Sequence, residues 1–182
     1  MRSTGPGSET HPIDVKTLVA FYSALDTERR YIDCPVSDRC TLEHLVGISA
    51  GGSLVAVGGV KCYFGLLRFG FYIVKREYQG QGHGTMLLRE MIRYVRATGH
   101  SALFASVHRE NQASIAMHRR AGFRAIARTE PLFRLCLAFR WRGVVLSWII
   151  SVLFRWVGLI RNIRREQQSA VVADRPSERG KQ

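Results

Sequence analysis

The chain has 182 residues, of which 46% are hydrophobic, and its 27 Lys and Arg outnumber its 14 Asp and Glu to give a net charge of +13. This length suits one domain with its own core, and the apolar fraction excludes a wholly disordered chain. The 4 cysteines form no C-x-x-C pair, which argues against a zinc ribbon or disulfide framework and favours a reducing cytoplasm. Residues 1–12 are polar and carry no apolar signal segment, so we predict a disordered N-terminus.

The positive charge is concentrated in the later part of the chain. Residues 1–72 contain seven basic and seven acidic residues, so the whole excess lies in 73–182. Residues 119–165 contain eleven arginines and one acidic residue, Glu130. Because the Arg side chain binds phosphate through two parallel hydrogen bonds, this composition predicts an anionic partner. A nucleotide cofactor, an anionic membrane and RNA all fit.

The hydrophobic pattern predicts helices and strands in a mixed order. Residues 14–30 are predicted to form a first helix with Leu18 and Phe21 on one face, and a short second helix is predicted to begin near Ser37 or Thr41. The later elements, in chain order, are strands at 44–49, 53–63 and 66–74, a helix at 85–98, a strand at 102–108, a helix at 111–121, and strands at 123–128 and 133–140. Strands before and after two helices predict an α/β (α+β) sheet that is partly antiparallel.

A glycine-rich segment follows the third predicted strand. Residues 79–84 read QGQGHG and enter the next predicted helix. Glycines there let backbone N–H groups point inward, and together with the helix N-terminus they form a cradle for a pyrophosphate. The spacing Q-x-x-G-x-G differs from the Rossmann pattern, and the G-K-[ST] of a P-loop is absent. The same residues also fit a tight turn whose glycines pack against the helix.

A second motif lies in the following helix, where residues 107–123 read VHRENQASIAMHRRAGF. Together the two segments resemble the GNAT superfamily of N-acetyltransferases, whose motifs are [QR]-x-x-G-x-[GA] and N-x-x-[SA]-x-x-x-[YH]-x-x-x-G-F. The matching positions are Gln79, Gly82, Gly84, Asn111, Ser114, His118, Gly122 and Phe123. The resemblance covers residues 13–140, which we take as the acetyltransferase domain, and it is specific within 73–123.

The resemblance implies the GNAT fold, with a mixed and mostly antiparallel central sheet flanked by helices. It also implies transfer of the acetyl group of acetyl-CoA to a primary amine by direct attack in a ternary complex, with no metal. The positions that correspond to cofactor contacts are Ile73, Val74, Gln79, Gly80, Gln81, Gly82, His83, Gly84, Asn111 and Ser114. In this scheme the backbone of the strand before the loop holds the pantetheine arm, and the Val74 N–H stabilises the oxyanion. Arg76, Arg119 and Arg120 are candidates for contacts to phosphate groups.

The resemblance places His118 where many members carry a tyrosine that protonates the leaving thiolate, and imidazole can donate a proton near neutral pH. Packing beneath the cofactor is the alternative for this side chain. The general base is less defined because Phe69 occupies the position of a family glutamate. His108, at a predicted strand end, is the first candidate. Asp33, Asp38 and a water chain are the others.

Residues 143–160 read GVVLSWIISVLFRWVGLI with one charge, Arg155, and arginines flank them on both sides. As a helix these eighteen residues reach about 27 Å, just short of a bilayer core. Three interpretations remain for this Arg-flanked segment at 141–165: a helix that lies in an anionic membrane surface through 143–165, a membrane span, or a helix buried in a homodimer or against the sheet. A disordered polar tail is predicted at 166–182.

Three functions remain open for such a chain. Membrane binding would favour a membrane-borne or lipid-linked amine as acceptor, with the protein peripheral on the inner face of the membrane. The basic stretch also fits an enzyme that acts on tRNA or a ribosomal protein, although base-stacking aromatics are not interleaved with the basic residues. Phe69 and His118, which replace family residues, leave room for a CoA-binding regulatory module with weak catalysis.

Overall fold

The computed structural model describes residues 9–25, 40–129, 131–139 and 142–154. In chain order, the elements are β1 (Glu9–Pro12), α1 (Val15–Ala24), β2 (Thr41–Ala50), β3 (Ser53–Tyr63), β4 (Leu67–Val74), a short 3-10 turn (Arg76–Tyr78), α2 (His83–Ala97), β5 (Ala102–His108), α3 (Gln112–Arg120), β6 (Arg124–Thr129), β7 (Leu132–Ala138) and α4 (142–154). The predicted tail at 166–182 and the remainder of the apolar segment lie outside these residues.

One seven-stranded sheet runs through the described chain in the order β1-β2-β3-β4-β5-β7-β6. Neighbouring strands are antiparallel except for β4 and β5, which are parallel. This architecture confirms the predicted mixed and mostly antiparallel sheet. The parallel pair lies in the middle of the sheet, and the glycine-rich segment follows one of its two strands.

The structure corrects two predictions near the N-terminus. Residues 9–12, which the sequence analysis placed in a disordered segment, form β1 and pair with β2 along Glu9–Ser49 through Pro12–Val46. Residues 9–12 thus form an edge strand whose backbone groups pair with β2 on one side, although no hydrophobic pattern marks this strand in the sequence. The helix predicted to begin near Thr41 is instead the start of β2, where pairing with β3 outweighs local preference. Ser37 lies outside the described residues.

The sheet separates two apolar layers. On one face, α2 contributes buried Leu87, Leu88, Met91 and Val95 to the largest core cluster. On the other face, α1 packs through Leu18 and Phe21 against Val57, Phe71 and Ile73 of β3 and β4, and α4 packs nearby. Residues 69, 71 and 73 of β4 share that second face because side chains alternate along a strand. The helices α1 and α4 therefore lie on the same face of the sheet, opposite α2, with α1 over β3 and β4 and α4 over β5 and β7.

The helix α4 combines a packed side with an exposed side. Ile150 is 5% exposed and clusters with Ala102, Phe104 and Cys136 of the sheet. A Cβ on Gly143 would stand 2.1 Å from the Ser101 carbonyl oxygen, so this end of the helix touches the backbone of the sheet. The opposite side is exposed and apolar: Val144, Val145, Trp148, Ile149 and Leu153. Within the residues that the structure describes, no helix has the length and apolarity of a membrane span.

Candidate active site

The two parallel strands separate where the glycine-rich loop begins. The β4–β5 ladder consists of the pairs Phe69–Phe104 and Gly70–Ala105, although β4 continues to Val74 and β5 to His108. A gap therefore opens between the last residues of the two strands. Unpaired strand edges carry N–H and C=O groups that can bind an extended ligand in the manner of an added strand.

The pairing of β4 with β3 decides which backbone groups face this gap. The Lys75 N–H donates to the Val55 carbonyl at 2.9 Å, and hydrogen-bonded pairs alternate along an antiparallel ladder. Ile73 consequently directs its N–H and C=O to Val57, whereas Tyr72 and Val74 direct theirs toward β5. This geometry supports the predicted role of the Val74 N–H. It favours Tyr72 over Ile73 as the second backbone contact. The sequence alone did not indicate this, because the register depends on how β3 and β4 pair.

The glycine-rich loop adopts a backbone conformation that requires glycine at two positions. Gly80 and Gly82 have φ values of +76° and +92°, which residues with a Cβ rarely adopt. Gly82 is the N-cap of α2, so the first N–H groups of that helix lack intrahelical partners. The Gln79 amide donates to the Val74 carbonyl at 3.2 Å and joins the loop to the end of β4. The loop therefore leaves backbone N–H donors at the positive end of a helix dipole.

A cavity of about 850 Å³ extends from this loop along α2 and α3, and we call it the α2-side cavity. It includes most of the predicted cofactor contacts, namely Ile73, Val74, Gln79, Gly80, Gly82, His83, Gly84, Asn111 and Ser114. Gln81 is not in its lining, because its amide donates instead to the Glu77 carbonyl at 3.1 Å. Of the three predicted arginines, Arg120 lines the cavity and Arg76 and Arg119 do not.

The α2-side cavity is suited to anions. Arg89 and Arg96 of α2 join Arg120 in its wall, and the described lining contains no Asp or Glu. These two arginines were not predicted. They are seven residues apart in the sequence, and the geometry of α2 places both on the side that faces the cavity. His83, at the start of α2, is 3% exposed, and neither of its ring nitrogens has a partner among the described residues. A buried polar group without a partner is costly, so a ligand that satisfies it gains affinity.

A second cavity of about 520 Å³, the α1-side cavity, lies between α1 and α4 on the other face of the sheet. Tyr22 of α1, Phe64 of the β3–β4 turn and Phe154 of α4 each contribute to its wall. His108 and His118, the two predicted catalytic residues, line this cavity rather than the α2-side cavity. Tyr72, Asn111 and Ser114 line both cavities, so the gap between β4 and β5 is where the two meet.

His118 is held as a neutral imidazole. It is 2% exposed, and burial lowers its pKa from the usual 6.5. Its Nδ1 lies 2.9 Å from the Ser114 carbonyl oxygen, which can only accept, so the proton of the neutral ring is on Nδ1. Nε2 therefore carries a lone pair. This tautomer suits acceptance of a proton better than the donation that the sequence analysis predicted for His118.

Tyr72 supplies a hydroxyl at the junction of the cavities. Its Oη lies 2.6 Å from the Ser114 Oγ, and Ser114 Oγ lies 3.4 Å from His118 Nδ1. Burial is the main cause that raises the pKa of Tyr72 to about 12. The phenol therefore keeps its proton at neutral pH. Sequence reasoning did not single out Tyr72, because the hydrogen bond joins residues 42 positions apart in the chain.

The remaining predicted residues fall as follows. Asn111 is the N-cap of α3, and its Oδ1 accepts from the Ser114 N–H at 3.0 Å, so it orders the helix start and lines both cavities. His108 ends β5, where its Nδ1 accepts from the Glu110 N–H at 3.4 Å. Asp33 and Asp38 lie outside the described residues. Among the residues that are described, no group of three His, Cys, Asp or Glu could hold a metal ion.

A protein family and several known proteins are similar to this chain. The family model described as the acetyltransferase (GNAT) family matches residues 15–123. The N-alpha-acetyltransferase RimI of Mycobacterium tuberculosis is 29% identical over 96 residues, which are 50% of this chain and 59% of the relative. The chain thus spans less than two thirds of that relative's length.

Two solved structures illustrate the likeness in fold. The GNAT domain of S. lividans PAT superposes with a TM-score of 0.61 at 18% identity, over 76% of this chain and 95% of that one. The yncA protein of Salmonella typhimurium, solved with its cofactor acetyl-CoA, superposes with a TM-score of 0.59 at 18% identity. That superposition covers 74% of this chain and 95% of yncA.

Proposed function

Because the chain belongs to the acetyltransferase (GNAT) family, we propose that it moves the acetyl group of acetyl-CoA to a primary amine by direct attack in a ternary complex. One observation carries the proposal: the gap between β4 and β5 joins an arginine-lined cavity on one face to a second cavity on the other. Two substrates that enter from opposite faces would meet there. Holding both in place supplies much of the rate enhancement in such a transfer.

The α2-side cavity fits the donor. The inward N–H groups of the loop and the first turn of α2 would hold the pyrophosphate. Arg89, Arg96 and Arg120 would bind other phosphate oxygens, and His83 would gain a partner for its buried ring. The N–H and C=O groups of Tyr72 and Val74 would pair with the amides of the pantetheine arm. Acetyl-CoA supplies a thioester whose acyl carbon a neutral amine can attack.

The residues at the gap divide the chemistry between them. The Val74 N–H would donate to the acyl oxygen as negative charge develops there. The Tyr72 hydroxyl would donate a hydrogen bond to the leaving sulfur, since the phenol is protonated at neutral pH. The lone pair on His118 Nε2, or His108 in the same cavity, would accept the proton that the amine loses. This assignment reverses the role that the sequence analysis gave to His118.

The test is release of free thiol from acetyl-CoA in the presence of a panel of amines, with acetyl-CoA binding measured separately by calorimetry. Arg89→Gln combined with Arg120→Gln should weaken acetyl-CoA binding by roughly tenfold or more, because each loses a charge-assisted contact. Arg93→Gln, which removes an exposed α2 cation outside the cavity, is the matched control. Binding of acetyl-CoA without thiol release for any amine would instead favour a regulatory CoA-binding module.

For the acceptor, we propose a membrane-borne or lipid-linked amine. Phe154 of α4 lines the α1-side cavity, and the same helix exposes apolar side chains to the outside. An amine on an apolar anchor could thus reach the gap along one helix. Acetylation of lipid-extract amines should exceed that of soluble amines of equal basicity.

A second candidate is the amino terminus of a protein. The observation in its favour is the relative from Mycobacterium tuberculosis, which is named an N-alpha-acetyltransferase. A peptide amine is also a primary amine, and the open α1-side cavity has room for an extended chain end. Acetylation of peptides in preference to lipid amines in the same panel would support this candidate. Binding to tRNA that falls steeply with salt would point to a nucleic-acid acceptor.

A further inference from the structure

We propose that exposed apolar side chains around the α1-side cavity form a docking surface for an anionic membrane, so that the amine enters from the lipid–water interface. The claim that this cavity receives the amine rests on the proposed function. The docking surface itself can be measured without acetyl-CoA. It consists of residues from α1, the β3–β4 turn and α4: Val15, Val19, Phe64, Leu66, Val144, Val145, Trp148, Ile149 and Leu153.

The exposed apolar residues are not scattered over the molecule. Every large exposed hydrophobic residue in the described chain belongs to one of these three segments. Each segment also contributes to the wall of the α1-side cavity, through Tyr22, Phe64 and Phe154. The face of the sheet that carries α2 has none among its described residues. Exposed apolar residues that gather around one cavity indicate an interaction site, whereas apolar residues exposed singly do not.

In α1 and α4 the exposed side chains lie on a different side of the helix from those that pack on the sheet. In α1, Val15, Val19 and Tyr22 follow the spacing of one helical face, and Tyr22 lines the cavity. In α4, Trp148 is 67% exposed, and the packed residues Ile150 and Phe154 lie on another side. Both helices therefore present apolar surface next to the cavity. Aromatic residues such as Trp are favoured at the boundary between lipid and water.

The β3–β4 turn adds a projecting aromatic residue. Phe64 is 85% exposed and has a φ of +54°, a conformation that is unfavourable for a bulky side chain. The turn is closed by the Leu66 N–H, which donates to the Tyr63 carbonyl at 3.0 Å. A strained backbone that holds an apolar side chain in water is retained where the exposed position has a use.

Charge identifies an anionic bilayer as the partner. The segments 15–24, 63–67 and 142–154 contain no Asp or Glu, whereas Lys16 and Arg142 are exposed on them. The chain as a whole carries a net charge of +13. Anionic lipid headgroups attract such a surface while its apolar side chains enter the interface. A second copy of the chain carries the same excess charge and would be repelled.

Point variants test this surface better than truncation, because removal of α4 would uncover Phe104 and Cys136 in the core. The full-length protein is floated with vesicles of phosphatidylcholine, with and without phosphatidylglycerol. The variant Leu66→Ser/Trp148→Gln changes residues that do not line either cavity. Val19→Gln/Leu153→Gln is the second such variant. Lys16→Gln and Arg93→Gln each remove one cation, the first on the docking surface and the second across the sheet on α2.

We expect the full-length protein to float with anionic vesicles, and each double variant to show a bound-to-free ratio lower by about tenfold or more. Lys16→Gln should weaken flotation and Arg93→Gln should not. All variants should keep acetyl transfer to a small soluble amine. A full-length protein that stays with the soluble fraction, or double variants that float like it, would overturn the inference. So would a dimer that the double variants dissociate. If the protein floats with anionic vesicles but transfers acetyl to no amine, the proposed function is refuted and the docking surface is not.

Discussion

Replacement of Tyr72 by Phe removes one hydroxyl at the junction of the two cavities and leaves the ring in place. That hydroxyl lies 2.6 Å from the Ser114 Oγ in a partly buried site. If it donates to the leaving sulfur, its loss withdraws stabilisation that develops only in the transition state. The Tyr72→Phe variant should therefore lower kcat and leave the affinity for acetyl-CoA unchanged.

The magnitude follows from two separate contributions. Removal of one preorganised donor to a developing anion costs about 10²–10³ in kcat, or roughly 3–4 kcal/mol. Loss of the hydrogen bond between Tyr72 and Ser114 costs the folded state about 1 kcal/mol. The expected signature is thus a large fall in kcat with a small fall in the free energy of unfolding.

The assay measures thiol release under saturating acetyl-CoA and amine, together with urea unfolding of each variant. Ser114→Ala is the matched control, because it breaks the same hydrogen bond from the other side and keeps the Tyr72 hydroxyl. It should lose similar stability but less than about tenfold in kcat. The reasoning would be refuted if Tyr72→Phe kept kcat within about threefold of the original, or if Ser114→Ala lost as much as Tyr72→Phe.

Two further predictions concern stability. Burial lowers the pKa of His118, and also those of His44 and His100, below 6.5 in the folded state. Below pH 6.5 the unfolded chain binds protons at these histidines more readily than the folded chain does, so the free energy of unfolding should fall as the pH drops from neutral. The variant His118→Asn should therefore show a smaller slope of the urea-unfolding midpoint against pH. An unchanged slope would contradict the lowered pKa of His118. Gly143→Ala should lower the melting temperature, because its Cβ would stand 2.1 Å from the Ser101 carbonyl oxygen, with a cost of about 1–3 kcal/mol. Val145→Ala on the exposed side of α4 is the control, and an equal melting temperature for both variants would show that α4 does not pack as described.

The sequence by itself determined the parts of this protein that depend on local order. The glycines of the loop and the motif of α3 indicated the family, since a short loop of fixed conformation has few alternative sequences. The bounds of β3 and β5 match the predicted ranges 53–63 and 102–108, because each is an apolar run between turn residues. The apolar, Arg-flanked character of 143–160 was likewise visible in the letters alone.

Tertiary structure decided what depends on pairing between distant segments. The register of β4 on β3 turned the backbone of Tyr72, rather than that of Ile73, toward the gap. Burial and a carbonyl partner fixed the tautomer of His118, which a motif position cannot specify. Packing of α1 and α4 on the same face of the sheet brought Phe154, Tyr22 and the turn at Phe64 to one cavity. Such juxtapositions carry no sequence signal because each residue involved satisfies only its own local pattern, and the chain's three-dimensional path alone brings them together.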